Sequence, residues 1–346
     1  MLDRSGIVIV DKPAGLTSHD VVAQMRRLMR TRKIGHAGTL DPAATGVLII
    51  GVERGTKFMA HMVSDTKSYD ATIRLGFATT TDDAEGNPIP YSNAAPCPFP
   101  PNGRPQSIID TSTQRRLKLL ALEPDRIDLA RTRLTGTIMQ RPSSVSAIKV
   151  NGRRAYDLTR AGEDIMLPER PVTIFRFDIH HITEASINDG TSSTVLDLTV
   201  SIDCSSGTYI RALARDLGDA LGVGGHLTAL RRTRVGSFTL TQAKTLEQLQ
   251  EEQSAAAKQN TRPQSHGEPA RASLSYSLDD AIIHSFPTRQ LTHTEATAVS
   301  MGKRISASGT DGTYAGISPD GRAIALMREH HGVATTVFVA RPATLR

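Results

Sequence analysis

Three features of the sequence predict an α+β fold. The clearest strand lies between Val195 and Cys204, where Leu196, Leu198, Val200, Ile202 and Cys204 alternate with Asp197, Thr199, Ser201 and Asp203. A period of two marks a strand with one buried face, the pattern of an antiparallel sheet. That strand passes through "SSGT" into "YIRALARDLGDALG", where Ile210, Leu213, Leu217 and Leu221 fall on one helical face and Gly222 supplies a stop. Along the chain, strands and helices mix without the regular βαβ alternation of a parallel sheet.

The remaining elements follow in order. "GIVIV" reads as a strand and "DKPAGLTSHD" as a turn. A helix starts near Thr17 or Ser18 on a capping-box-like pattern. Val21, Val22, Met25, Leu28 and Met29 recur at helical spacing and leave the arginines on the other side. "GVLIIGV" and "YDATIRLG" are strands. From Asn87 to Gln106 seven prolines predict a loop or disordered insertion, because each removes a backbone donor. "RIDLARTRLTG" resumes a helix-like pattern. The stretch 251–272 lacks periodicity and apolar content and reads as a linker between a large domain over 1–250 and a small one over 273–346. In the small domain "THTEATAVSMGKRI" is a helix ending at Gly302. "TYAGISPDGRAIALM" is a hairpin turning at Asp320 and Gly321, and "VATTVFVA" is a final strand.

A length of 346 residues suits two domains, and 38% hydrophobic with 22% charged residues indicates a soluble globular chain. Cys97 and Cys204 form no disulfide framework and no metal-ligand spacing. The start of the chain has too short an apolar run for a signal peptide, and nothing approaches a membrane span, so a cytoplasmic protein is expected. The net charge of +6 leans modestly towards a polyanionic partner. Placement says more: "RRLMRTRK" gathers Arg26, Arg27, Arg30, Arg32 and Lys33, and "LRRTR" adds Arg231, Arg232 and Arg234. Such clusters suit a phosphate backbone, and equally a solvated basic face.

"GHAGTLDPAATGVL" sets Asp41 between a Gly/Thr-rich turn and an apolar run. Followed by Pro42, Asp41 is either a cap on a turn or helix start, or a reactive carboxylate held out of bulk water. Arg211 follows Ile210 at the edge of a buried helical face, where a guanidinium could keep a carboxylate ionised. Tyr69 starts a strand and Leu230 precedes the second arginine cluster; each also reads as ordinary core. His36 in "GHAG" has neighbours too small to bury its ring. No second histidine stands at ligand spacing, so no metal is expected. There is no P-loop, GxGxxG, GxSxG or HExxH. An enzyme here works with a carboxylate, an arginine and a tyrosine, and with no cofactor.

These residues resemble one family. "VDKPAGLTSHDVV", "GHAGTLDPAATGVLIIGVERGTKF", "KSYDATIRLG", "RPSSVSAIKVNGRRAYDLTRAG" and "CSSGTYIRALARDLGDALGVGGHLTALRRTRVG" stand in the order of the TruB-type tRNA pseudouridine synthases and cover most of Ile7 to Gly236. The resemblance implies the pseudouridine synthase fold, a mostly antiparallel mixed sheet flanked by helices over 1–250, with a PUA-like β domain at 273–346. It implies isomerisation of uridine 55 in the TΨC loop, without cofactor. Asp41 would be the catalytic carboxylate, Arg211 its partner, and Tyr69 the ring on the base near the C5 proton. His36 would enter the RNA loop and Leu230 would pack on the uracil. Lys12 and Pro13 match the family's supporting turn. Lys12 is grouped with Tyr209, Arg231 and Arg232 as substrate-binding rather than chemical. The implied partner is tRNA, at its TΨC stem-loop and elbow, bound by a monomer away from any membrane. The alternative is a tRNA-folding chaperone that acts by binding alone.

Overall fold

In the computed structural model, residues 2–62, 66–89, 122–143, 149–150, 153–154, 167–187, 193–259 and 273–344 are described. Strand β1 (Gly6–Lys12) buries Ile7 to Val10 completely and runs two residues into the expected turn. Helix α1 (Ser18–Leu28) opens on a full capping box: the Thr17 hydroxyl accepts the Asp20 N–H, and the Asp20 carboxylate accepts the Thr17 N–H. Val21, Val22, Met25 and Leu28 are buried, while Arg26 and Arg27 are exposed in the last turn, where the helix dipole favours cations. Strands β2 (Ile34–Ala37) and β3 (Thr45–Val52) pair antiparallel, and the short helix α2 (Gly55–Phe58) follows.

Next come β4 (Lys67–Leu75), β5 (Ala78–Thr79) and β6 (Pro88–Ile89). Strand β6 corrects the proline-rich reading at its start, since a two-residue pairing with β5 tolerates a proline where a long central strand would not. The rest of that stretch lies outside the described residues. Helix α3 (Pro124–Arg133) has its proline at the first turn, where no donor is lost. Strands β7 (Gly136–Gln140), β8 (Lys149–Val150), β9 (Arg153–Arg154), β10 (Arg170–Ile187) and β11 (Ser193–Cys204) follow. Helix α4 (Ile210–Leu221) ends at Gly222, whose φ of 72° is the left-handed stop the sequence predicts. Strand β12 (Gly225–Val235) then leads to β13 (Phe238–Thr239).

Helix α5 (Leu246–Gln259) takes in the first part of the expected linker. Thr245 and Gln248 exchange backbone and side-chain hydrogen bonds at its start, and its Ala, Glu, Gln and Lys residues are good helix formers without an apolar stripe. Beyond it come β14 (Tyr276–Ser277), α6 (Leu278–Ser285), β15 (Thr288–Gln290), α7 (His293–Ser300), β16 (Ile305–Ser306), β17 (Thr313–Ile317), β18 (Ala323–His330) and β19 (Val333–Val339).

The chain forms two compact units, Met1–Asp65 with Arg232–Arg346, and Thr66–Arg231. In the first, β14, β1 and β3 lie side by side, antiparallel, with Lys12 opposite Gly46. Its C-terminal strands form a sheet of order β15-β17-β18-β19-β16, antiparallel except for the β15–β17 pair. Ile7, Ile9, Val47, Ile49 and Phe58 share one core with Leu278, Ile282, Leu326 and Phe338. The C-terminal segment is thus packed on the N-terminal strands, not tethered beside them. Arg54 adds a polar clamp, its Nε donating to the Ala340 carbonyl at 2.9 Å.

In the second unit β4, β11, β10 and β7 are neighbours, all antiparallel. Leu198, Val200, Ile202 and Cys204 are fully buried, as their alternation requires. They pack with Ile210, Leu213, Leu217 and Leu221 of α4. Each such side chain contributes about 1.5–3 kcal/mol of burial.

Candidate active site

The Asp41 segment lies in the first unit, between β2 and β3. It forms a turn closed by the Ala44 N–H on the Asp41 carbonyl at 3.1 Å, and β3 starts at Thr45, so no helix begins at Pro42. The backbone around Asp41 is fixed at almost every residue. Ser18 Oγ donates to the Leu40 carbonyl at 3.1 Å and accepts the Leu40 N–H at 2.9 Å. The Gly15 N–H donates to the Pro42 carbonyl at 2.9 Å.

Two buried cations complete the frame. Lys12 is fully buried, and its three ammonium donors go to the carbonyls of Pro13, Leu16 and Pro42 at 2.8, 2.6 and 3.1 Å. Burial pushes this ammonium down to about 8, against the pull of the nearby Asp41 carboxylate. Arg232 is 1% exposed, and its Nε and Nη2 donate to the carbonyls of Val47 and Gly38 at 2.7 and 2.8 Å. Gly46 permits this approach: with φ of 101°, a Cβ there would stand 2.2 Å from the Arg232 carbonyl oxygen. Leu40 and Ala44 are buried, while Asp41 itself is half-buried. The loop therefore presents one carboxylate from a backbone that cannot easily move.

Lys12 and Arg232, both expected to bind substrate, turn these donors onto backbone carbonyls inside the protein. His36 lies on β2. Its ring is half-buried and its Nδ1 is buried without a hydrogen-bond partner, and burial together with Arg232 and His19 holds its pKa below the ordinary value. Arg26, Arg27, Arg30, Arg32 and Lys33 are exposed, a basic surface on and after α1.

Tyr69, Leu230, Tyr209, Arg211 and Arg231 belong to the second unit. Tyr69 on β4 is opposite Ile202 and is 7% exposed, and the half-buried Leu230 packs against the same apolar cluster. Those two are brought together. Arg211, in the first turn of α4, is 6% exposed, and its Nη1 lies 3.0 Å from the Thr81 carbonyl and 3.3 Å from Asp83 Oδ2. Tyr209 precedes α4, where its backbone N–H and carbonyl are both held by the buried Gln140 side chain. The Arg170 guanidinium sits 4.8 Å from the centre of its ring. Arg231 is half-buried.

Asp83 and Gln140 escape sequence reasoning. Asp83 sits in "TTTDDAEG", a polar turn like many others, and only the fold brings it to α4. Among the described residues no group of His, Cys, Asp and Glu could hold a metal ion, and no helix is long and apolar enough to cross a membrane.

Comparison with known proteins places this arrangement. The model of the TruB family pseudouridylate synthase N-terminal domain matches residues 26–97 and 107–210. Models of the tRNA pseudouridylate synthase B C-terminal domain and of tRNA pseudouridine synthase II, C terminal, match 211–282 and 286–341. The chain is 52% identical over 344 residues to tRNA pseudouridine synthase B of Corynebacterium aurimucosum, covering 99% of each. It is 49% identical to the protein of that name in Mycobacterium bovis, over 98% of this chain and 97% of the other. In fold it matches a chain of a Cbf5-Nop10-Gar1 complex with a TM-score of 0.65 at 22% identity, covering 99% of this chain and 87% of that one. A chain of an H/ACA RNP bound to a substrate RNA containing 2'-deoxyuridine matches with 0.64 at 21%, over the same shares. With these relatives along its whole length, and with the fixed aspartate turn between β2 and β3, the chain belongs to the TruB family of pseudouridylate synthases.

Proposed function

We propose that this protein isomerises uridine to pseudouridine at position 55 in the TΨC loop of tRNA, with Asp41 as its essential carboxylate. The reaction breaks the bond from ribose C1′ to uracil N1 and joins C1′ to C5. The C5 proton leaves and N1 regains one, so no atoms are exchanged with a cofactor. The observation that carries the assignment is the Asp41 turn itself: one carboxylate on a backbone pinned by Lys12, Ser18 and Arg232. Such preorganisation serves covalent or proton-transfer chemistry at a fixed point, where a small misplacement is costly.

In this reading Arg211, whose Nη1 is steadied by Asp83, serves the reaction as the arginine partner of the catalytic carboxylate. Tyr69 and Leu230 enclose the uracil while it turns, and Tyr69 lies at the C5 proton. His36, with its unpartnered Nδ1, enters the RNA loop. The exposed arginines of the first unit take the phosphates, offsetting a few kcal/mol spent on extruding the base. Tyr209 and Arg231 line the RNA path, and the C-terminal sheet is a PUA-like contact for the far end of the tRNA. The protein acts in the cytoplasm as a monomer. A chaperone that binds without catalysis is not favoured, since the full-length relatives are synthases.

The test is a tRNA carrying cytidine in place of uridine 55, with all its other uridines intact. The reading expects product at position 55 of the parent tRNA and none in the variant. Equal pseudouridine in both would overturn the assigned site.

A further inference from the structure

Within the second unit, the residue beside Asp83 stands out. Asp82 has φ of 59°, in the left-handed region that residues other than glycine seldom occupy. Such a conformation persists only where its surroundings impose it. Here they do so through both backbone and side chain. The Asp82 N–H donates to the Thr79 carbonyl at 3.3 Å, and its carbonyl accepts the Leu227 N–H at 3.0 Å. Its carboxylate is mostly buried, with Oδ2 accepting Ser143 Oγ at 2.6 Å and Arg215 Nη1 at 3.0 Å.

Arg215 is braced in turn. Its Nη2 donates to the Arg141 carbonyl and to Asp216, both at 2.8 Å. The carboxylate of Asp82 thus meets a guanidinium that is itself held in place. Burial raises the pKa values of Asp216 and Asp219 beside it, which marks the region as one of closely packed charge. Nothing in the chemistry of uridine isomerisation uses Asp82, Arg215 or Ser143.

The turn that Asp82 makes has one consequence for the site. It delivers the Thr81 carbonyl and the Asp83 carboxylate to the same Nη1 of Arg211, at 3.0 and 3.3 Å. Asp83 is oriented further by the Thr81 hydroxyl and by the Glu85 N–H at 3.1 Å, both on Oδ1. The aim of Arg211 therefore rests on a turn whose strained residue is locked by its own ion pair with Arg215. We propose that Asp82, gripped by Arg215 and Ser143, is a positioning residue for the reaction, acting on Arg211 through the Thr81–Asp83 turn. This rests on the reading that Arg211 serves catalysis.

The experiment is a steady-state comparison on full tRNA, with the complete chain. Asp82→Gly keeps the left-handed backbone without strain and removes the side chain with its carboxylate. It lowers kcat about tenfold or more with little change in KM, because a misaimed guanidinium affects the reacting state more than RNA binding. Asp82→Asn, which tolerates the same φ and still offers an acceptor, recovers part of the loss. In an Asp83→Asn background, Asp82→Gly adds little further, since both changes act along one path. Should Asp82→Gly fail to fold, Arg215→Met removes the other half of the pair and carries the same expectation.

Wild-type kcat in Asp82→Gly, or an equal loss in both backgrounds, overturns the proposal. The underlying reading fails separately, if Arg211→Lys and Asp83→Asn both retain full kcat. Impaired Arg211 and Asp83 variants beside an unimpaired Asp82→Gly overturn the role of Asp82 alone.

Discussion

Lys12 donates from its buried ammonium to the carbonyl of Pro42, 3.1 Å away and one residue beyond Asp41. The same nitrogen holds Pro13 and Leu16, so one cation joins the end of β1 to the aspartate turn. Replacing it by methionine removes one donor from each of three carbonyls, of which Pro42 keeps the Gly15 N–H. Lys12→Met is expected to lower kcat by about ten- to a hundredfold, through movement of Asp41. It should also destabilise the fold by about 1–3 kcal/mol. Stopped-flow turnover and thermal melting, done on the same preparation, check both.

Arg232 offers a sharper contrast, because the sequence suggests a phosphate contact and the structure shows a loop brace. A phosphate-binding arginine, when removed, reduces the dependence of tRNA affinity on salt by about one unit of slope. Arg232→Met is expected to leave that slope unchanged while kcat falls. A slope reduced by one, with kcat intact, would mean that the side chain leaves its buried position to meet RNA.

Much of this was legible in the sequence, and the reasons differ by element. The α4 helix and the β11 strand could be read because each has a single buried face, so its period survives in the residues. The α5 helix could not, since it is held by a cap and by propensity, with little apolar stripe to betray it. Lys12 and Arg232 look like surface cations in any linear window. Only the fold brings enough carbonyls around them to satisfy a buried charge. Asp83 is hidden for a similar reason: its partner lies far along the chain, and neither local pattern points to the other.

Asp219, in the last turn of α4, supplies a pH-dependent prediction. Burial raises its carboxyl to about 7, and Asp216 and Asp82 add to the rise while Arg215 opposes it. The folded chain thus keeps a proton that the unfolded chain releases near pH 4, and stability falls as pH rises from about 4 to 7. Asp219→Asn removes that penalty and the unfavourable charge at a helix C-terminus. Its melting temperature should exceed the wild type's at pH 8, with a smaller difference at pH 5. A gain independent of pH would contradict the assignment.

Glu329 behaves in the opposite sense. Its carboxylate accepts the N–H groups of Ser308, Gly309 and Thr310 and the Tyr314 hydroxyl, which lowers it to about 2. Stability from this group is complete above the ordinary carboxylate range and lost as pH falls through about 2. Glu329→Gln is expected to melt lower than the wild type at pH 7, and the gap should narrow below the ordinary carboxylate range and close only below about pH 2. Hydrogen exchange at Ser308, Gly309 and Thr310 should quicken in the variant at neutral pH.

The most direct measurement is tritium release from tRNA labelled at uridine C5, catalysed by Asp41→Asn. This change keeps the shape of the side chain and removes its charge. The expected outcome is a loss of at least about a thousandfold in turnover, with tRNA binding retained. Release at the wild-type rate would contradict the claim that the pinned carboxylate carries the reaction.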